Sequence, residues 1–413
     1  MLNPLRNPRT IVWSLAFTLA LAYFWARGPA RALAPDGNLD FEVIYNALQT
    51  FQEGYNPYLT EDVLKVAEAH ERQYSIRHYA NARLLYAPGF LSLFDPIARL
   101  EYRTAAAFWV VLQMATFTAL LAVAIALGGL GGEGRKAFLL AGLCFAPIHT
   151  SLAHGQPGIF FCLLTLLFFW SLTGRREWLA ALAFGLLLGK PSFAVPAALV
   201  GLIRGRWRAV LLGCVVGVLT WLPFLHRYGL QDTVTHYATA IQAVQAPGGD
   251  ADDSHANPQR FDLINLRSWL GSWQTPTLIR DGLYGLAMSL AAVVLYRARH
   301  LPDASGLYWT FAAVFCALAL YHRFYAAVVV GWAAVLAHWN QDRRVALAIA
   351  ACLLPLAAPG TAFLVQSLGT SHPSWLEATL IRHQALALVG LGAVTAFGLL
   401  RNLAKAQAGT ACE

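Results

Sequence analysis

Apolar residues run along this chain in long, nearly uninterrupted blocks, and the polar residues fall between the blocks. The first block extends from Thr10 to Ala26. Later ones lie near 104–128, 137–153, 157–173, 177–190, 192–203, 208–225, 277–296, 304–320, 324–339, 344–366 and 376–400. A helix needs about 20 predominantly apolar residues to cross a bilayer, so the pattern predicts about twelve transmembrane helices, several of them short. The blocks 177–190 and 192–203 meet at Lys190-Pro191, where proline ends or kinks a helix. Arg6 and Arg9 ahead of the first block also fit a signal peptide cleaved near 30–34. With so many spans behind it, an uncleaved first helix is the simpler expectation.

Two stretches depart from the pattern, at 27–103 and 226–276, and are expected to be long loops outside the membrane within a single transmembrane domain, 1–413. In 41–53 the residues Phe41, Ile44, Tyr45, Leu48 and Phe51 recur at helical spacing with Glu42, Asn46, Gln49 and Glu53 between them. That is an amphipathic helix able to lie in the interface plane. Gly54-Tyr55-Asn56-Pro57-Tyr58 reads as a turn, and Thr60-Glu61-Asp62 as a helix start with a capping hydroxyl and first-turn acids. The second loop carries the acidic, Gly/Pro-containing stretch 246–253, expected to be mobile.

Composition sharpens this picture. Hydrophobic residues are 57% of 413 and charged residues only 13%, with a mean hydropathy of +0.50. Soluble domains carry about 25% charged residues, so a soluble protein, a disordered one and a secreted disulfide scaffold are all excluded. The net charge of +8 would suggest nucleic acid in a soluble protein. Here half of the 30 Lys and Arg residues fall in alternate short loops and the two terminal segments, as at Arg6 and Arg9, Arg135-Lys136, Arg175-Arg176 and Arg343-Arg344. The positive-inside rule reads those loops and the N-terminus as cytoplasmic. The charge therefore reports topology, and no nucleic-acid partner is expected. The chain is expected to be a multi-pass protein of a bacterial inner (plasma) membrane.

With ionisable residues so scarce, those at the outer boundary stand out, because charge near hydrocarbon is costly and usually functional. Asp40 opens the amphipathic helix; it is either an N-cap or a general base at the membrane surface. His322-Arg323 sits between two apolar blocks with almost no loop, either snorkelling within an aromatic belt or holding an anion such as a lipid phosphate. Lys190 is either a snorkelling helix-end lysine or a phosphate counter-charge. Less specific candidates are His154 and Gln156 in a short outer turn, Arg83 and Tyr86 late in the first loop, and Asn265 and Arg267 before the span at 277. No nucleotide-binding or metalloprotease motif is present, and no outer carboxylate cluster demands a metal, so neither cofactor nor metal is expected.

Six short motifs in order resemble glycosyltransferase family 87, a branch of the GT-C membrane glycosyltransferases. They are Asp40-Phe41-x-x-x-Tyr45-x-Ala47 with Gly54-Tyr55-x-Pro57-Tyr58; Tyr86-Ala87-Pro88 leading to Phe94-x-Pro96; Gly155-Gln156; Gly189-Lys190-Pro191; Asn265-Leu266-Arg267; and Tyr321-His322-Arg323-x-Tyr325. The resemblance implies an all-α polytopic membrane protein of GT-C architecture, with interfacial helices in the first outer loop and the active site on the outer face. It implies transfer of a hexose, typically mannose, from a polyprenyl-phosphate carrier to a lipid-linked or extracytoplasmic glycan acceptor. It places Asp40 as catalytic base and His322 in the active site. Lys190, Arg323 and Arg267 then suit the donor phosphate, and Tyr45, Tyr58, Arg83, Tyr86, His154, Gln156, Asn265 and Tyr325 would line the substrates. One position departs from the pattern: many relatives carry Asp after His-Arg-x-Tyr, where this chain has Ala326.

The alternative is a non-enzymatic transporter or flippase of polyprenyl-phosphate lipids. It would bind phosphate with the same cations but would need polar groups through the membrane. These spans are apolar and lack the internal repeats common in transporters, which favours the enzyme.

Overall fold

In the computed structural model, the structure describes residues 8–81, 84–128, 130–254, 257, 260–301, 306–329, 342–358, 364–365, 367 and 373–410. The chain is an all-α polytopic membrane protein. The only β-pairing among the described residues is an isolated antiparallel bridge between Leu263 and Arg323. Five helices are long and apolar enough to cross a membrane: Pro8–Ala32, Tyr102–Leu127, Trp207–Gln245, Thr277–Ala298 and His383–Ala408. A sixth span arises if Gly132–Cys144 and Ala146–His154, bent by 46° at Phe145, count as one. The described bundle also holds four shorter apolar helices, Gly158–Thr173, Glu177–Leu187, Pro191–Ile203 and Leu307–Ala319, and the helix Arg343–Ala357. The expected blocks at 324–339 and 344–366 lie partly outside the described residues.

The spans are apolar on the outside as well as within. Leu278, Ile279, Leu283, Leu286, Leu290 and Val293 are all exposed along Thr277–Ala298, as suits a helix whose solvent is lipid.

The first long loop is folded. It forms the helices Leu39–Gln52, Thr60–Ala69, Gln73–Asn81 and Pro88–Phe94, followed by a 3-10 turn, Asp95–Arg99. The apolar face expected at 41–53 is real, and it is buried against protein. Phe41 stacks on Trp109 at 5.0 Å between ring centroids, and Phe51 on Phe224 at 4.2 Å. This locks the loop onto the spans that begin at Tyr102 and Trp207. Thr60 turns out to be the first helical residue, with Leu59 in the cap position and no side-chain cap. Asp62 instead accepts a hydrogen bond from the Asn56 amide at 2.8 Å.

Trp207–Gln245 is two helices divided at Gly229, whose φ of +79° lies outside the helical region. The break falls at the expected start of the second long loop. That loop returns through the 3-10 turn Arg260–Asp262 to the helix Leu266–Gly271. There it grips the segment after Leu307–Ala319, where the Ile264 amide donates to the His322 carbonyl at 3.0 Å.

Candidate active site

Asp40 is the second residue of the Leu39–Gln52 helix. The cap position belongs to Asn38, in the left-handed region at φ +56°. The Asp40 carboxylate is thus not a cap, and it sits in the first turn where the unpaired amides of the helix favour negative charge. It is half-buried, and the Tyr74 hydroxyl faces it. Burial and the charge of Asp40 together push that hydroxyl up to about 12, so Tyr74 stays protonated and able to donate. His78, one turn further along the Gln73–Asn81 helix, lies within the fields of Asp250, Asp40 and Arg323. Burial pulls its imidazole below the usual histidine range, against the two carboxylates. It is therefore neutral at pH 7.

Two of the short motifs meet at Lys190. The Ala87 amide donates to the Gly189 carbonyl at 3.0 Å, which joins Tyr-Ala-Pro to Gly-Lys-Pro. Pro88 and Pro191 each open a helix in the first turn, where a missing N–H costs nothing. The Lys190 backbone is thereby held extended between two helices, and its side chain is only 4% exposed. The ammonium faces the rings of Tyr86, Phe161, Phe193 and Tyr325 at 5.5, 5.8, 5.5 and 5.2 Å. Aromatic faces attract a cation. Among the described residues no carboxylate lies within ion-pair distance of it, although it senses the charges of Arg323 and Asp40.

The third contributor is the segment 320–323. Leu320 and Arg323 are extended, and alternate side chains of an extended chain point to opposite sides. Tyr321 and Arg323 share one side: Arg323 Nε donates to the Tyr321 hydroxyl at 2.8 Å and Nη2 to Asp250 Oδ1 at 2.8 Å. His322 faces the other way. Its ring meets Phe193 edge-on at 4.4 Å and lines a narrow apolar crevice with Ala313, Cys316 and Ala326. Its nitrogens approach the backbone of Ser192 and Cys316 without reaching hydrogen-bond geometry.

The arrangement therefore brings together Asp40, Lys190, Arg323, Tyr86, Gln156 and Tyr325. The Tyr86 hydroxyl donates to Gln156 Oε1 at 3.1 Å. Tyr58 supports the group from behind, donating to the Tyr86 carbonyl at 2.8 Å. Other expected residues are engaged elsewhere. Tyr45 donates to the Leu100 carbonyl at 2.6 Å. Asn265 caps the Leu266–Gly271 helix by accepting from the Ser268 amide at 2.7 Å. Exposed Arg267 pairs with Asp281 at 2.8 Å, and His154 is exposed at a helix end. Arg83 lies outside the described residues. Tyr74, His78 and Asp250 join the site unannounced by the sequence. The first two sit in a polar loop where nothing contrasts with them, and Asp250 belongs to the stretch expected to be mobile. Among the described residues, no three or more His, Cys, Asp or Glu gather as metal ligands.

Gly155 holds Gln156 in place. It ends the Ala146–His154 helix at φ +72°, and a Cβ there would lie 2.6 Å from both Asn38 Oδ1 and Phe41 Cβ. Its carbonyl accepts from Trp109 Nε1 at 2.8 Å. Gly155→Ala therefore combines left-handed strain of about 1–2 kcal/mol with overpacking of about 1–3 kcal/mol. The expected result is a clearly lower unfolding midpoint for the purified protein in detergent, measured by a thermal scan.

The profile described as "Glycosyltransferase family 87" matches residues 84–359. The chain belongs to glycosyltransferase family 87. Its long apolar helices make it a multi-pass membrane protein. The matched range contains Lys190 and Arg323, while Asp40, Tyr74 and His78 precede it. The chain is also similar to an alpha-(1->3)-arabinofuranosyltransferase of Corynebacterium glutamicum, 26% identical over 219 residues. That alignment takes in 51% of this chain and 46% of the relative, so the chain matches about half of that protein's length. No solved structure matches the chain.

Proposed function

We propose that the protein takes a sugar from a polyprenyl-phosphate carrier and passes it to a lipid-linked or extracytoplasmic acceptor, at the outer face of a bacterial inner membrane. The observation that carries this reading is Lys190: a buried ammonium with aromatic neighbours and no carboxylate in ion-pair reach among the described residues, beside Arg323 and Asp40. A buried cation without a counter-charge is costly, and a lipid phosphate would supply one.

The chemistry asks little else of the site. The acceptor oxygen bonds to the anomeric carbon as the bond from that carbon to the phosphate oxygen breaks. The acceptor's proton goes to Asp40, and the electron pair leaves with the lipid phosphate. Lys190 and Arg323 stabilise that departing charge, and the phosphate competes with Asp250 for the Arg323 fork. Tyr74 faces the Asp40 carboxylate as a donor and orients it. His322 is kept in this reading as a residue of the active-site wall, shaping the floor beneath Lys190 through Phe193. Arg267, exposed and engaged by Asp281, makes no direct contact with the phosphate in this reading. A single displacement inverts the anomeric carbon, so a β-linked donor yields an α-linked product.

For the sugar, a hexose such as mannose is the first reading, on the motif pattern at Asp40 and His322. An arabinofuranosyl donor is the second, favoured by the relative from Corynebacterium glutamicum. Purified protein is to be incubated with radiolabelled polyprenyl-phosphate mannose and, separately, polyprenyl-phosphate arabinofuranose, with membrane lipids as acceptors. Label is expected in a new lipid product from one donor. Flipping of carrier lipid in proteoliposomes, with no transfer from either donor, would sink the enzyme reading.

A further inference from the structure

A second group of buried charges lies on the same loop face, outside the site described above. Glu377–Ile381 forms a single π-helical turn directly ahead of the His383–Thr410 helix, closed by the Arg382 amide donating to the Glu377 carbonyl at 2.9 Å. Such turns cost helix regularity and recur at functional sites. This one points two cations at a single acid. Arg382 Nε lies 3.3 Å from Glu377 Oε1, and Arg260 Nη2 lies 3.5 Å from Glu377 Oε2. All three residues are buried, at 1%, 4% and 5% exposure for Arg382, Arg260 and Glu377. Among the described residues, both Nη atoms of Arg382 have no hydrogen-bond partner. Neither Asp253 nor Asp262, the next carboxylates outward, reaches ion-pair distance of Arg382 or Arg260 among the described residues.

The physics of that arrangement is specific. Glu377 holds the Nε of Arg382 and leaves its outer fork, Nη1 with Nη2, desolvated and without a hydrogen-bond partner among the described residues. A guanidinium fork matches two oxygens of a phosphate or carboxylate, and an open one in a buried place carries the full cost of lost hydration. Arg260 lies over the Phe261 ring, with Cζ 4.0 Å from its centroid. The group adjoins the first site. Three residues after Arg260 the chain pairs with Arg323 through Leu263, and Asp262 senses both Arg323 and Arg382.

We propose that Arg260 and Arg382 form a second anion subsite, which binds the phosphate of the acceptor lipid while Lys190 and Arg323 take the phosphate of the donor. The assignment to the acceptor rests on reading the chain as a polyprenyl-phosphate-dependent transferase. Glu377 is the resident counter-ion on Nε, and the incoming phosphate takes the Nη1–Nη2 fork beside it.

The test measures binding, so it does not depend on transfer. Full-length wild type, Arg382→Gln and Glu377→Gln are compared by unfolding midpoint in two titrations. One is inorganic phosphate in detergent; the other is phosphatidylglycerol added to phosphatidylcholine nanodiscs. Wild type is expected to be stabilised by the anionic phospholipid, and Arg382→Gln to lose that gain. Glu377→Gln, which removes the neighbouring negative charge that repels the phosphate, is expected to bind the phospholipid about tenfold more tightly. A merely structural ion triad predicts the opposite, a weaker fold with unchanged phospholipid affinity, and that outcome overturns the subsite. Stabilisation by inorganic phosphate with none by phosphatidylglycerol overturns the acceptor-lipid assignment. Should Arg382→Gln fail to fold, the direction of the Glu377→Gln shift decides. If anionic phospholipid binds as expected while no labelled donor is turned over, the transferase reading fails and the subsite stands.

Discussion

Asp40→Asn is expected to abolish sugar transfer while leaving the protein folded and able to bind its donor. The amide keeps the shape of the carboxylate and removes its ability to take the acceptor's proton. General-base catalysis contributes about 100- to 10,000-fold, so turnover should fall by at least about two orders of magnitude. The structure offers a reason for the fold to survive. Asn38, not Asp40, holds the cap position of the Leu39–Gln52 helix, and among the described residues no salt bridge to Asp40 is formed. The measurement is single-turnover transfer from radiolabelled donor, with donor binding assayed in parallel. Near-normal turnover in Asp40→Asn would remove Asp40 from the mechanism.

Lys190→Met is expected to weaken donor binding strongly without destabilising the free protein. The two effects have opposite origins. In the donor complex the substitution leaves a lipid phosphate without its buried cation, a loss of about 3–5 kcal/mol, equivalent to about 100-fold or more in apparent affinity. In the free protein it replaces a desolvated ammonium with an apolar chain of similar length among Tyr86, Phe161, Phe193 and Tyr325. The unfolding midpoint should therefore hold or rise. Arg323→Lys gives a companion result: it keeps the charge and loses the fork that reaches Tyr321 and Asp250, so donor affinity falls although the local charge is unchanged. Unchanged donor affinity in both variants would show that these cations do not hold the phosphate.

Much of this site was readable along the chain because charge is rare in it. Lys190 and Arg323 stand out against long apolar blocks, and Asp40 opens the one clear amphipathic helix of the first loop. The glycines and prolines around them announce breaks, and each break has a geometric use: Gly155 turns at positive φ against Asn38, and Pro88 and Pro191 start helices. The same contrast gave no help inside the polar loops. Tyr74, His78 and Asp250 look there like any solvated residue, and in the buried trio Arg260, Glu377 and Arg382 the first two stand 117 positions apart, with Arg382 next to an apolar block that reads as an ordinary span.

The sequence by itself determined the solvent of this protein, and with it the fold class. Blocks of apolar residues leave helices as the way to satisfy the backbone within a bilayer, and the scarcity of charge marked where chemistry could sit. Only the tertiary structure decided which charged groups lie together. Asp40, Lys190 and Arg323 belong to segments far apart in sequence, and their electrostatic contact depends on packing such as Phe41 on Trp109 and the Ala87–Gly189 hydrogen bond. His322 and Arg323 make the point most directly. In the sequence they are equal neighbours, but an extended backbone sends adjacent side chains to opposite sides. One faces the acids and the other an apolar crevice. Periodicity follows from local bonding and can be read along the chain; the side chosen by each residue depends on what packs beside it.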